Sequence, residues 1–247
     1  MKAKVIILAA GKGKRLQSEA RELPKALRLA CGKPLVKYVL DQLDFVPPED
    51  IVIVVGYRKE QVIEALGDAY TYAEQLVLDG TAHATEYARP CLEGYEGPVM
   101  VLYCDMPLLS RKTYQTMLET HVRSGADQTL LAAKLNPIPD FGRLIRDEKG
   151  RLVNIVEDGS CTPEQKLIDE VNVGIQVFNG SDMWETLADI PFDPKKNPPE
   201  RVLTSAARVM ADQGKRIEVV HLQDGNEALG VNCEEDLRRV EAILCKK

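Results

Sequence analysis

The chain runs to 247 residues, long enough to bury a full core, and its 45% hydrophobic and 28% charged residues are those of an ordinary globular protein. Thirty-two Lys and Arg against 38 Asp and Glu leave a net charge of −6, which argues against nucleic acid or an anionic membrane as a partner. No apolar run approaches the ~20 residues of a membrane span, and the N-terminus has no signal-peptide pattern, so a cytoplasmic location is expected. The cysteines (Cys31, Cys91, Cys104, Cys161, Cys233 and Cys245) form no C-x-x-C pair and have no histidine at zinc spacing. They read as buried or incidental thiols of a reducing compartment rather than a disulfide framework or a zinc site.

Residues 5–9, VIILA, are apolar without alternation, the pattern of a strand covered on both faces of a parallel sheet. Ala10, Gly11 and Gly13 then permit a tight turn and a close approach of backbone to ligand. Lys12, Lys14, Arg15 and Lys25 crowd positive charge into the same loop. A buried strand ending in a small, basic loop suits phosphate, because backbone N–H groups and cations converge there. The alternative is a plain first turn of an α/β domain with solvated lysines. The loop lacks the G-K-[ST] ending of a P-loop and the spacing of a dinucleotide fingerprint.

Further along, residues 35–43 have helical periodicity, 51–55 form a second continuous apolar strand, 60–66 a helix, and 81–87 a helix with Thr81 as a possible cap. Residues 99–103, VMVLY, are a third buried strand and run directly into Cys104, Asp105, Met106 and Pro107. Strands alternating with helices at this spacing predict βαβ units and a mostly parallel sheet in a Rossmann-like α/β fold. Ligands of such sheets lie beyond the carboxyl ends of the strands. Gly11 and Asp105 are therefore expected to face one crevice, where the carboxylate is placed to hold Mg²⁺ against phosphate oxygens. Asp105 as a helix cap or turn residue is the competing reading.

In the second half, 129–134 reads as a strand, and 144–147 with 152–156 as a hairpin around Glu148-Lys149-Gly150. A short helix is expected near Pro163 and an alternating strand over 171–178 with Gly174 inside it. Residues 190–201 read as an exposed Pro-rich loop, 203–213 as a helix, 217–221 as a strand and 234–244 as a closing amphipathic helix. The whole of 1–247 is expected to form one domain, in which the hairpin after Asp140 is a lid on the sheet. His83, His121 and His221 are assigned to structure rather than catalysis.

The blocks LAAGKGKRL…LPKAL, EQLVLDGTAHA, VLYCDMPLL, FGRLIRDEKGRLVNIVED, EVNVGIQVF and LGVNCEEDL resemble, in this order, the nucleotidyltransferase domain of the bacterial bifunctional N-acetylglucosamine-1-phosphate uridylyltransferase family. The resemblance covers nearly the whole chain. It implies the three-layer nucleotidyltransferase fold, with a nucleotide-binding half over about 1–135 and a sugar-binding half with its lid over about 136–247, Mg²⁺ as cofactor, UTP as nucleotide and N-acetylglucosamine 1-phosphate as acceptor. Leu8, Ala9, Ala10, Gly11, Gln75, Gly80 and Thr81 match the family's nucleotide contacts. Arg15 and Lys25 match its catalytic cations, Asp105 and Asn232 its metal-binding pair, and Tyr103, Gly142, Glu157 and Asn172 its sugar contacts. The family's second domain is a β-helical acetyltransferase of hexapeptide repeats; no such repeat occurs here, and acetyl transfer is not expected. The resemblance leaves the oligomeric state open.

The implied chemistry is in-line attack by a phosphate oxygen of the sugar 1-phosphate on the α-phosphorus, with loss of pyrophosphate. That nucleophile is already an anion and requires no general base. Some positions depart from the family pattern: the segment between Arg15 and Lys25 is longer, Lys14 replaces a small hydroxyl residue, Cys104 and Ala82 replace glycines, and ERVLTS only partly matches Y-Y-L-T-D. Two alternatives stand beside this reading. One is a nucleotidyltransferase for another sugar phosphate or a molybdenum-cofactor-type acceptor, whose enzymes CDMPLL also resembles. The other is an inactive nucleotide-sugar-binding regulatory protein.

Overall fold

The computed structural model describes residues 2–16, 23–193 and 198–246. The longer segment between Arg15 and Lys25 lies mostly outside the described residues, as does the middle of the Pro-rich loop.

In chain order the first half contains β1 (Lys4–Leu8), a two-stranded hairpin of β2 (Leu29–Ala30) and β3 (Lys33–Pro34), α1 (Leu35–Asp41), β4 (Ile51–Val55), α2 (Lys59–Leu66), β5 (Thr71–Glu74), α3 (Thr81–Glu86), β6 (Pro98–Tyr103) and α4 (Arg111–Ser124). The second half adds β7 (Gln128–Lys134), β8 (Arg143–Arg146), β9 (Leu152–Val156), α5 (Pro163–Lys166), β10 (Glu170–Asn179), α6 (Gly180–Asp189), α7 (Ala206–Asp212), β11 (Ile217–His221) and α8 (Glu234–Leu244). The main sheet runs β11-β7-β10-β6-β1-β4-β5, with the β8–β9 hairpin attached through β10. Among the described residues no helix is long and apolar enough to cross a membrane.

The continuous apolar runs are explained by the layers. Along β1, Val5 and Ile7 face one core with Ile51 and Ile53 of β4 and Met100 and Leu102 of β6. Ile6 and Leu8 face the other, with Val52, Val54, Val99 and Val101. Because successive side chains point to opposite faces, a strand buried on both must be apolar throughout. Helices α1, α2 and α4 cover the first face through Val36, Val39, Val62, Tyr114 and Met117. Helices α3, α6 and α7 cover the second through Ala82, Ala84, Met183, Leu187 and Met210. This is the expected three-layer, Rossmann-like α/β arrangement with a mostly parallel sheet.

Strand β10 is the exception in direction, antiparallel to both β6 and β7. Its beginning, with Asn172, therefore lies at the edge where β1 and β6 end. Its register slips between Asn172 and Gln176, and Gly174 in that bulge has φ +99°. A Cβ at Gly174 would come within 3.0 Å of the Tyr103 ring, so the glycine is needed both for the backbone and for the close approach.

Two local expectations are corrected. Thr81 is the first residue of α3 rather than its cap; Gly80 holds the cap position, and the Thr81 hydroxyl instead accepts the Leu203 amide at 2.9 Å. Cys31 and Cys245, read as unpaired thiols, form a disulfide with Cα atoms 6.0 Å apart. The cause is a third apolar cluster, in which Leu237 and Val240 of α8 pack with Ala30 and Leu35. The Glu241 carboxylate also accepts the Cys31 amide at 3.1 Å. Together these dock the end of α8 on the β2–β3 turn. Cys91, Cys104, Cys161 and Cys233 are free thiols.

Candidate active site

A cleft of about 550 Å³ opens where β1, β5 and β6 end and β10 begins. Of the residues singled out by sequence, Leu8, Ala10, Gly11, Lys25, Gln75, Gly80, Thr81, Tyr103, Asp105, Gly142, Glu157, Asn172 and Asn232 line it. Gly142 and Glu157 stand at the two ends of the β8–β9 hairpin, which borders the cleft. Ala9 does not line it. That side chain is 1% exposed in the core, and its amide donates to the Val54 carbonyl at 2.8 Å.

One corner of the cleft is charged. Lys25 follows a short extended segment and begins a helical turn whose Ala26 and Leu27 are buried beside Ala9, Cys104 and Met106. Its ammonium pairs with the Asp105 carboxylate and donates to Asn232 Oδ1 at 3.0 Å. Arg15, exposed at the rim, donates from Nη2 to the same Asn232 oxygen at 3.3 Å. Chain-distant groups meet here for identifiable reasons. Leu16 is fully buried against Val231 and brings Arg15 to the corner. The Val231 amide donates to the Asp105 carbonyl at 2.8 Å and sets Asn232 beside the carboxylate. Asp236 in turn accepts the Asn232 and Cys233 amides, each at 2.9 Å, and fixes that turn at the start of α8.

Asp105 and Asn232 fit a hard cation. Their oxygens converge on a single point, the one taken by the Lys25 ammonium, and Mg²⁺ commonly needs only one or two protein oxygens besides water and phosphate. No cluster of three or more His, Cys, Asp or Glu that could hold a metal occurs among the described residues.

The rest of the cleft is neutral and shaped by close contacts. Gln75 is 6% exposed and spends one amide proton on the Val77 carbonyl at 2.9 Å, so its carbonyl and second N–H remain to read a ligand. Burial, with smaller contributions from Asp105 and Glu157, pushes the Tyr103 phenol well above the ordinary tyrosine range and keeps it protonated. Asn172 Oδ1 accepts the Gly174 amide at 3.1 Å, which leaves its NH₂ as the group on offer. Cys104 lies 4% exposed behind Asp105, and burial pushes its thiol up to about 12, so it is no nucleophile.

Each histidine is bonded to neighbouring side chains. His83 pairs with Asp79, and His221 with Glu170 at 2.8 Å. His121 lies between Thr129 and Asn179 at 3.0 and 3.1 Å, with burial pulling its imidazole down.

Sequence reading missed part of the wall. Glu200, Val202 and Thr204 line the cleft from the segment that only partly matched the family pattern. Asp140, Phe141 and Gly230 line it too. The first two directly precede Gly142, and Gly230 sits in the L-G-V-N block, so adjacency to matched residues was the available signal.

Residues 5–143 match the MobA-like NTP transferase domain family. The chain is 35% identical over 246 residues to "Bifunctional protein GlmU" of Brevibacillus brevis, covering 100% of this chain and 52% of that protein. It is 36% identical over 245 residues to the protein of the same name from Pelotomaculum thermopropionicum, covering 98% and 52%. The chain thus spans about half the length of these curated relatives. A solved structure described as a candidate glucose-1-phosphate thymidylyltransferase from Bacillus anthracis, in complex with sucrose, superposes with a TM-score of 0.74 at 17% identity, covering 98% of this chain and 94% of that one. That likeness is one of fold.

Proposed function

The chain belongs to the MobA-like NTP transferase domain family, and from that premise we propose that it transfers a uridylyl group from UTP to N-acetylglucosamine 1-phosphate, releasing pyrophosphate. The observation that carries the proposal is the charged corner, where Lys25, Arg15, Asp105 and Asn232 bond to one another at the end of a neutral, polar cleft. The likeness to the GlmU proteins supports nucleotidyl transfer to a sugar phosphate, and the choice of UTP and N-acetylglucosamine 1-phosphate rests on the blocks that resemble the uridylyltransferase family.

In this reading Leu8, Ala10, Gly11, Gly80 and Thr81 hold the base and ribose. Gln75 selects the pyrimidine edge, since a wrong base would leave its buried amide unpaired. The hydroxyl and acetamido groups of the acceptor meet the Asn172 NH₂, the Gly142 backbone, the Glu157 carboxylate and the neutral Tyr103 phenol. Asp105 and Asn232 would hold Mg²⁺, which supplies charge neutralisation to the triphosphate when bound. Lys25 then leaves those two oxygens for the phosphates, and Arg15 at the rim meets the departing pyrophosphate. The acceptor phosphate attacks as an anion, so the pairing of all three histidines into the framework costs the reaction nothing.

The test is a panel of nucleoside triphosphates against sugar 1-phosphates, read by pyrophosphate release with and without Mg²⁺. Release that is greatest with UTP and N-acetylglucosamine 1-phosphate and abolished by chelation is expected. Release with UTP and a different acceptor would relocate the substrate and keep the reaction. No release with any pair would refute transfer and leave a nucleotide-sugar-binding protein.

A further inference from the structure

Arg201 stands apart from the charged corner and clamps several parts of the cleft's frame together. Its amide donates to the Asp79 carbonyl at 2.8 Å, and its carbonyl accepts the Ala82 amide at 3.0 Å. The backbone lies so flat on Gly80 that a Cβ there would sit 2.2 Å from the Arg201 oxygen. Two residues on, the Leu203 amide donates to the Thr81 hydroxyl at 2.9 Å. The guanidinium forks onto Glu86 of α3 at 2.7 and 3.2 Å. It also donates to the carbonyls of Leu187, in the last turn of α6, and of Ile190, the latter at 3.0 Å. Its side chain is 13% exposed, which preserves the strength of these charge-assisted bonds.

This grip joins two walls of the cleft. Gly80, Thr81 and Ala84 line it from the side assigned to the nucleotide; Glu200, Val202 and Thr204 line it from the segment that Arg201 carries, and Val202 and Thr204 also share a neighbouring hollow with Glu157, assigned above to the acceptor. Neither wall can shift without pulling on the same guanidinium or the same backbone bonds. A ligand that orders one wall thereby orders the other, and the second ligand meets a frame whose ordering cost has already been met.

We propose that Arg201 is a positioning residue that couples nucleotide and acceptor binding, so that each substrate tightens the site for the other. The proposal rests on the two-substrate reading given above. Coupling of this kind is reciprocal, which makes it measurable from either side.

The experiment uses the full chain with a non-hydrolysable UTP analogue, Mg²⁺ and N-acetylglucosamine 1-phosphate, titrated by calorimetry singly and each in the presence of the other. In the unaltered protein the ratio of the two acceptor Kd values is expected to be about 10, within the usual range of coupled sites. In Arg201→Ala it should fall toward 1. Arg201→Lys should fall nearly as far, because an ammonium keeps the charge and loses the fork. Glu86→Gln, which leaves the backbone clamp and an amide acceptor in place, should lie between and covers the case in which the arginine variants do not fold. A ratio as large in folded Arg201→Ala as in the unaltered protein would overturn the proposal, as would a ratio of 1 in the unaltered protein. A structural role alone would lower the melting temperature and both affinities and leave the ratio unchanged. Failure of the unaltered chain to bind either ligand under any condition would instead overturn the substrate reading, and this one with it.

Discussion

Lys25→Met removes one charge from the corner and keeps the unbranched stem that packs there. The ammonium bonds Asp105 and lies 3.0 Å from Asn232 Oδ1, in a site where the Lys25 and Asp105 side chains are 15% and 16% exposed. Turned onto the triphosphate, about 4 Å from a phosphate charge at an effective dielectric near 20, that ammonium is worth about 4 kcal/mol. Lost from the transition state, that corresponds to a fall in kcat of about 10³-fold. The two side chains are mostly buried, so leaving Asp105 without its cation should cost about 1–3 kcal/mol, a loss the fold should survive. A continuous pyrophosphate assay at saturating substrates measures the first quantity and urea unfolding the second. A kcat within tenfold of the unaltered protein would refute the role given to Lys25. A stability loss of several kcal/mol would show that the ion pair holds the fold rather than the phosphates.

Gly80→Ala places a methyl against the Arg201 carbonyl at a residue with φ +117°, and should cost about 1–3 kcal/mol in strain together with the 200–204 wall; a melting temperature lower by several degrees and weakened nucleotide binding are the readouts. The hydrogen bonds from Arg146 lead the factors that hold Glu170 below the usual glutamate range, with His221 assisting against burial. A depressed carboxylate contributes stability that is complete above its unfolded pKa and is lost as pH falls through the folded value. Urea midpoints measured from about pH 6 down to about pH 3 should therefore fall less steeply in Arg146→Met than in the unaltered protein. Thiol titration in denaturant should find the four free cysteines before reduction and all six after it, and Cys104 should be the last to react in the native protein.

The legible parts of the fold are those where one physical demand dominates. Strands β1, β4 and β6 are buried on both faces, which leaves no choice but an unbroken apolar run. Helix α8 shows its stripe because its other face is in water. Strand β5, T-Y-A-E, is a half-buried edge strand with no such demand on it and is absent from the sequence reading. Helix α4 is absent as well, although Tyr114, Met117, Leu118 and His121 stand at helical spacing and are all buried. The candidate site was legible where short blocks carry several groups at once, as in C-D-M-P or G-V-N. Arg201 was not, because its partner Glu86 lies 115 positions away and no local pattern marks the pair. The Cys31–Cys245 bond is hidden for the same reason, since only the docking of α8 on the β2–β3 turn brings the sulfurs together.

That bond also divides the molecule topologically. It closes a covalent ring across 214 positions, and one interior strand of the sheet is outside it. β1 lies on the free arm that precedes Cys31, yet it is hydrogen-bonded between β6 and β4, both parts of the ring. Arg15 and Lys25 travel on the arm; Asp105 and Asn232 belong to the ring. The sheet is thus a closed host holding a guest strand, and the ion pair and hydrogen bonds of the charged corner latch that guest at its far end.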